Sequence, residues 1–251
     1  MNYWQTARPP RILKSDKRLF EESGSGKRFF SLNYGPYVAE NRHSAGTLSF
    51  LNDEFLAPGK EAGFCHEKNL QVFILPLVGA VYSPLLRNEA GENRIRHNES
   101  GFFDIAAGVS YTLSNPYENE WVNFLHIGFA NNSPLHRSGK VLIDLQPGNK
   151  NKLIPVLVED YYVSSFSATL GIYDGRQSGN YRLKNPENEI FVFVINGAFE
   201  VESRMLEHRD GLSLATASEI EFEALSENAI LLVLEMPREE IQTHQQIRIE
   251  I

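Results

Sequence analysis

Residues 63–71 hold the densest set of side chains in this chain that could do chemistry. Gly63-Phe64-Cys65-His66-Glu67-Lys68-Asn69-Leu70-Gln71 brings together a thiol, an imidazole, a carboxylate and an amide. Neutral imidazole, thiolate and carboxylate all ligate borderline transition metals. Geometry restricts them. Side chains alternate along an extended chain, so Cys65 and Glu67 share one face while His66 takes the other. Gln71 falls on the parity of Cys65 and Glu67, and its amide is a weak substitute for a carboxylate. The spacing matches no standard ligand set. A rearranged metal centre, a polar pocket and a surface turn are all open readings.

Other candidates are more isolated. His126 lies in Trp121-Val122-Asn123-Phe124-Leu125-His126-Ile127-Gly128-Phe129, where apolar neighbours predict a central strand. Pointing inward with Val122 and Phe124, it could meet a ligand or satisfy a hydrogen bond. Cys65, beside His66 and Lys68, is a candidate redox-responsive thiol, although Glu67 opposes thiolate formation and no second cysteine exists to resolve it. His43, His97, His136, His208 and His244 lie in polar surroundings and form no local metal motif. Ser110 and Ser114 lack the strained turn of a nucleophile, and Ser23-Gly24-Ser25-Gly26-Lys27 lacks the spacing of a phosphate loop.

The elements that position these residues are strands. Leu70 to Val78, Trp121 to Phe129, Val141 to Leu145, Ile190 to Ile195, Ala198 to Glu202 and Ala229 to Leu234 are short and rich in branched or aromatic residues. Gly, Asn and Pro separate them. Leu153 to Tyr162 reads as a short helix or another strand. Phe199, Val201 and Ser203 alternate with charged residues, as on a half-buried sheet, and Asn196-Gly197 predicts a tight hairpin with a primed turn. Phe73-Ile74-Leu75-Pro76-Leu77-Val78-Gly79-Ala80-Val81 echoes Phe191-Val192-Phe193-Val194-Ile195-Asn196-Gly197-Ala198-Phe199. The echo predicts an all-β chain of two duplicated barrels. Ala130-Asn131-Asn132-Ser133-Pro134 marks the junction, giving domains 1–130 and 131–251.

Composition narrows the partners. The 251 residues are 42% apolar and 22% charged, with sixteen Phe and ten Tyr, as in a globular protein with a large core. A net charge of −8 opposes binding to nucleic acid or an anionic membrane. A single cysteine excludes an internal disulfide, the first residues lack the apolar core of a secretory signal, and no run is long enough to span a membrane. Cytoplasmic residence is the expectation.

Several islands resemble the pirin family of two-domain cupin proteins, which includes quercetinase-like members. They are Lys14 to Arg18, Phe29 to Tyr34, Leu48 to Gly59, Gly63 to Gly79, Ala106-Ala107-Gly108, Asn115-Pro116, Asn196 to Gly211 and Leu231 to Pro237. Together they span nearly the whole chain. The resemblance implies two double-stranded β-helix (cupin) barrels in tandem. It also implies a metal in the first barrel, held by a His-x-His loop, a third histidine and a glutamate two places beyond it. Counting from Gly79, the loop histidines fall at Cys65 and Glu67 with His66 between them, and the family's following Glu falls at Gln71. The third histidine falls at Leu113, followed by Ser114, and the glutamate falls at Asn115. The ligand set is therefore largely replaced.

A family quercetinase uses its metal to organise a hydroxylated aromatic substrate and dioxygen. Here the expectation is a bicupin without cofactor, leaning away from catalysis and serving in binding or regulation. Its partner would be a small molecule in the first barrel or another protein. The alternatives are a divergent metal-dependent oxygenase, with a pocket rearranged around His66, Glu67, Gln71 and His126, and a redox-responsive protein using Cys65.

Overall fold

The computed structural model describes residues 9–86, 92–131, 137–157, 166–215 and 218–238. Two pairs of antiparallel sheets account for nearly all the regular structure in those residues. In the first unit, a seven-stranded sheet runs in the order Ser138–Leu142, Glu99–Ile105, Leu70–Val78, Val122–Ala130, Leu48–Leu56, Gly26–Phe30, Leu19–Ser23. Its companion holds Glu61–Cys65, Ser110–Ser114, Ala80–Tyr82 and Arg94–Arg96. The second unit repeats the plan. A six-stranded sheet contains Arg11–Leu13, Gly211–Leu214, Asn188–Asn196, Ala229–Pro237, Ser167–Tyr173 and Leu153–Pro155. Facing it are Ser178–Arg182, Glu219–Ala224, Phe199–Val201 and Arg204–Leu206.

The long apolar strands are buried on both faces, which is why they read as near-continuous hydrophobic runs. Along Val122–Ala130, Val122 and Phe124 enter the interior of the first unit with Phe50, Val72, Ile74 and Leu113. Leu125, Ile127 and Phe129 face the other way and pack with Phe191, Phe193, Leu232 and Leu234 of the second unit. Phe129 stacks on Phe166 with centroids 3.6 Å apart, inside that shared cluster. A third cluster, including Val192, Val194, Phe199, Ile220 and Val233, fills the second unit.

The repeat is visible at its corners. Gly79 and Gly197 adopt φ values of +77° and +75°, in the left-handed region that favours glycine, and the chain passes there from the large sheet to the small one. Asn196-Gly197 is therefore a corner and not the expected hairpin. Asn196 still pairs with Ile230, whereas Phe199–Val201 pairs with other strands. The tight turn with two positive φ values lies instead at Glu202 (48°) and Ser203 (59°), joining Val201 to Arg204. That turn takes Ser203 out of the strand alternation expected of it. Leu153–Pro155 is a strand, and the remainder of the Leu153 to Tyr162 stretch runs beyond the described residues at 158.

Each unit also receives a strand from across residue 130. Arg11–Leu13 pairs with Gly211–Leu214, and Ser138–Leu142 pairs with Glu99–Ile105, so each covers an edge that would otherwise be open. Ion pairs on buried carboxylates fasten the crossing. Asp53 Oδ2 lies 2.9 Å from Arg209 Nε and 3.3 Å from Arg18 Nη1, and Lys14 Nζ lies 2.5 Å from Asp210.

Candidate functional site

Strand parity brings a short polar chain into the interior of the first unit. His126 sits opposite Asn52 on one side and Ile74 on the other, and is completely buried. Tyr111 and Leu113 are the inward members of Ser110–Ser114, and Tyr111 pairs with Phe64. His66 follows the strand Glu61–Cys65 and is half-buried, its carbonyl accepting the Gly108 N–H at 2.8 Å. Its ring stacks on Phe50, with centroids 5.1 Å apart and planes at 14°.

These positions converge on one phenol. Tyr111 Oη lies 2.9 Å from His66 Nε2 and 2.8 Å from His126 Nε2. Behind His126, Nδ1 faces Glu54 Oε1 at 3.5 Å, long for a hydrogen bond but the nearest charged contact. Arg28 Nε lies 2.6 and 2.8 Å from the two Glu54 oxygens, and the guanidinium sits over the Phe64 ring at 4.9 Å. Glu54 is 2% exposed, and Arg28 is the cation paired with it.

Protonation follows from this environment. Burial pushes His126 below its ordinary value, against the opposing pull of Glu54. Burial, then the neighbouring His126 and Arg28, push His66 down to about 4. Both imidazoles are therefore neutral at pH 7. Burial holds Tyr111 well above 10, so it remains a phenol. A carboxylate facing Nδ1 favours the proton there, which leaves His126 Nε2 as an acceptor for the Tyr111 hydroxyl. The phenol oxygen then accepts from His66 Nε2–H. The donor order is His66 to Tyr111 to His126, and His126 Nδ1, which makes no hydrogen bond, faces the Glu54 carboxylate.

The remaining sequence candidates are dispersed. Cys65 and Glu67 are exposed and do not enter the interior. Gln71 is buried on the opposite face of its sheet from His126, where its amide donates to Asp104 at 3.1 Å. Leu113 is buried in the apolar cluster, and Ser114 is half-buried at the strand end. Asn115 closes a turn: its amide donates to the carbonyls of Leu56, Ala57 and Glu120, and its oxygen accepts from Tyr117 N. Sequence reasoning missed Tyr111, Glu54 and Arg28. The alternation Ser110-Tyr111-Thr112-Leu113 carried the signal for Tyr111, because it places the phenol on the same face as Leu113.

The family's metal does not fit these residues. Its two loop positions face outward, its third nitrogen is replaced by the apolar Leu113, and the glutamate position is a turn-closing amide. Among the described residues, no group of three or more His, Cys, Asp or Glu side chains is placed to hold a metal ion. Two surface depressions flank the chain. A groove of about 230 Å³ is lined by Arg28, Glu54 and Glu61, and an open cleft of about 420 Å³ by Cys65, Leu85 and Thr112.

Two paired-sheet units with this topology define a bicupin. Residues 166–236 match the family model described as the quercetinase C-terminal cupin domain. In structure the chain is similar to YhhW from Escherichia coli, with a TM-score of 0.77 and 14% identity, over 92% of this chain and 98% of that one. The bacterial pirin YhhW in complex with nickel(II), also from Escherichia coli, gives a TM-score of 0.75 at 14% identity, over 92% of this chain and 100% of that one. Quercetin 2,3-dioxygenase from Acinetobacter baumannii gives 0.66 at 18% identity, over 92% and 80% of the two chains. No curated protein matches the chain in sequence. The chain thus has the bicupin fold of these structures, and its second unit carries the quercetinase C-terminal cupin domain.

Proposed function

We propose that this protein is a pirin-like bicupin that binds or regulates without a cupin metal ion. The supporting observation is the closed hydrogen-bonded chain His66–Tyr111–His126, backed by Glu54, in the interior where the family resemblance places a metal. A phenol occupies the point on which both imidazole nitrogens converge. Barrel packing does not require a metal, so the fold persists without one. Its partner is a small molecule at the first barrel or another protein. The single cysteine and acidic charge suit residence in the cytoplasm; no helix among the described residues is long and apolar enough to cross a membrane.

Elemental analysis of untagged protein, purified without chelator, tests this reading. The expected result is far less than one equivalent of nickel, iron, copper, manganese or zinc. Near-stoichiometric metal that disappears in His66→Ala or His126→Ala would overturn it.

A further inference from the structure

The chain in the first barrel places a phenol against a neutral base and shields both from solvent. Tyr111 is 4% exposed and His126 is completely buried. Phe64 stacks on the phenol at 5.3 Å and Phe103 meets it edge-on at 5.2 Å. The contact from Tyr111 Oη to His126 Nε2 is 2.8 Å, short enough for direct proton transfer.

We propose that Tyr111 is a redox-active tyrosine, giving one electron to an outer-sphere one-electron oxidant while its phenolic proton moves to His126 Nε2. The step balances. Tyr111–OH and neutral His126 become a neutral tyrosyl radical and a His126 imidazolium, and the oxidant gains one electron. The O–H bond breaks, an N–H bond forms, and re-reduction returns the proton along the same hydrogen bond.

Each neighbour has a part. Glu54 faces Nδ1, on the far side of the imidazolium that forms when Nε2 takes the proton, and Arg28 holds Glu54 in place. His66 Nε2–H remains bonded to the phenoxyl oxygen at 2.9 Å and connects it to the half-exposed mouth. The aromatic walls keep the radical from coupling with a phenol on another molecule. Loss of the proton without the electron is opposed by burial, so the two leave together.

The inference is independent of whether the protein binds a ligand, and it can be tested on full-length protein. Photogenerated tris(bipyridine)ruthenium(III) serves as the oxidant, with tyrosyl radical read by transient absorbance and freeze-quench electron paramagnetic resonance. Tyr111→Phe should remove most of the long-lived signal although the other nine of the ten tyrosines remain. His126→Gln keeps a hydrogen-bond partner but no base, and should slow radical formation about 100-fold, the scale of one positioned base. Tyr34→Phe should leave the signal intact. In the wild type, which raises no question of misfolding, formation should be slower in D2O. An unchanged signal in Tyr111→Phe, or a wild-type rate insensitive to D2O, would overturn the proposal and show that the chain only holds the barrel together.

Discussion

In the first cupin unit the fifth residue of the strand Val122–Ala130 is His126; in the second, the fifth residue of Ala229–Pro237 is Val233. Each pairs with the fifth residue of its neighbour, Ile74 in one and Val192 in the other. The small sheets agree as well. Tyr111 opposite Phe64 corresponds to Ile220 opposite Tyr181. One strand plan thus carries a polar chain in the first interior and Val233 with Ile220 in an apolar cluster in the second. The second unit directs its buried polarity elsewhere. Tyr181 donates to Glu235 at 2.7 Å, and Glu235 also accepts from the backbone of Lys184 and Asn185 and the amide of Asn188, fixing a loop. The scaffold alone does not need His126, Tyr111 or Glu54, because its duplicate folds with Val233 and Ile220 in place of the first two and Gly171 in place of Glu54. Buried polar groups cost stability unless they are fully paired, so their presence in one unit points to a task other than packing.

The largest test of this contrast is Glu54→Ala. It leaves Arg28 without its buried partner and should destabilise the protein by about 3–5 kcal/mol in urea unfolding. A loss below about 1 kcal/mol would show that the polar chain is not a coupled unit. Val233→His reverses the comparison by placing an imidazole among aliphatic side chains with no polar partner. About 3 kcal/mol should be lost, from desolvation and overpacking together. A neutral outcome would mean that the second interior tolerates polarity as readily as the first.

The two units should also differ in their response to acid. His66 is lowered from 6.5 to about 4 on folding, so between those values the unfolded chain binds a proton that the folded chain does not. Its contribution therefore weakens stability as pH falls from about 6.5 to about 4. His66→Asn should flatten that part of the urea-midpoint profile. Glu235 acts in a lower window. Burial alone would raise its pKa, but the Lys184 N–H, Tyr181, Asn185 and Asn188 donors outweigh burial and hold it below the usual carboxylate value. Its stabilisation is present above that value and is lost as pH falls through the depressed one. Glu235→Gln should remove this lower dependence and leave the His66 window unchanged.

The smallest expected effect is at Asn52, beside His126. Both amide atoms are buried without hydrogen-bond partners. Asn52→Leu should be neutral or stabilise by about 1 kcal/mol, since it removes unsatisfied polarity. A large destabilisation in thermal melts would give Asn52 a part in the polar chain.

Sequence pattern makes the fold far more legible than the site. Phe73 and Phe191 hold equivalent places in the repeat because a strand buried on both faces needs apolar residues at every position. Gly79 and Gly197 mark the corners because a left-handed backbone favours glycine. Parity set His66 on the face opposite Cys65 and Glu67, and His126 on the face of Val122 and Phe124. Their connection was not legible, because Tyr111, Glu54 and Arg28 come from three strands distant in sequence. Asp53-Glu54 also looks like one ordinary acidic pair. Only the sheet register shows that Asp53 faces Arg209 of the other unit while Glu54 faces His126. Asn196-Gly197 illustrates the same limit, since a local turn signal does not specify which sheet the next strand joins.

The central claim is that the first barrel holds a neutral, ordered hydrogen-bond chain at the place where the resemblance to pirins implies a metal. Imidazole ¹⁵N NMR of selectively labelled protein, recorded before and after addition of nickel(II) or zinc(II), addresses it most directly. The account predicts neutral rings at pH 7, with His126 protonated on Nδ1 and His66 on Nε2, and no change in either pattern when metal is added. Metal-dependent shifts or paramagnetic loss of the His66 and His126 resonances together would contradict it.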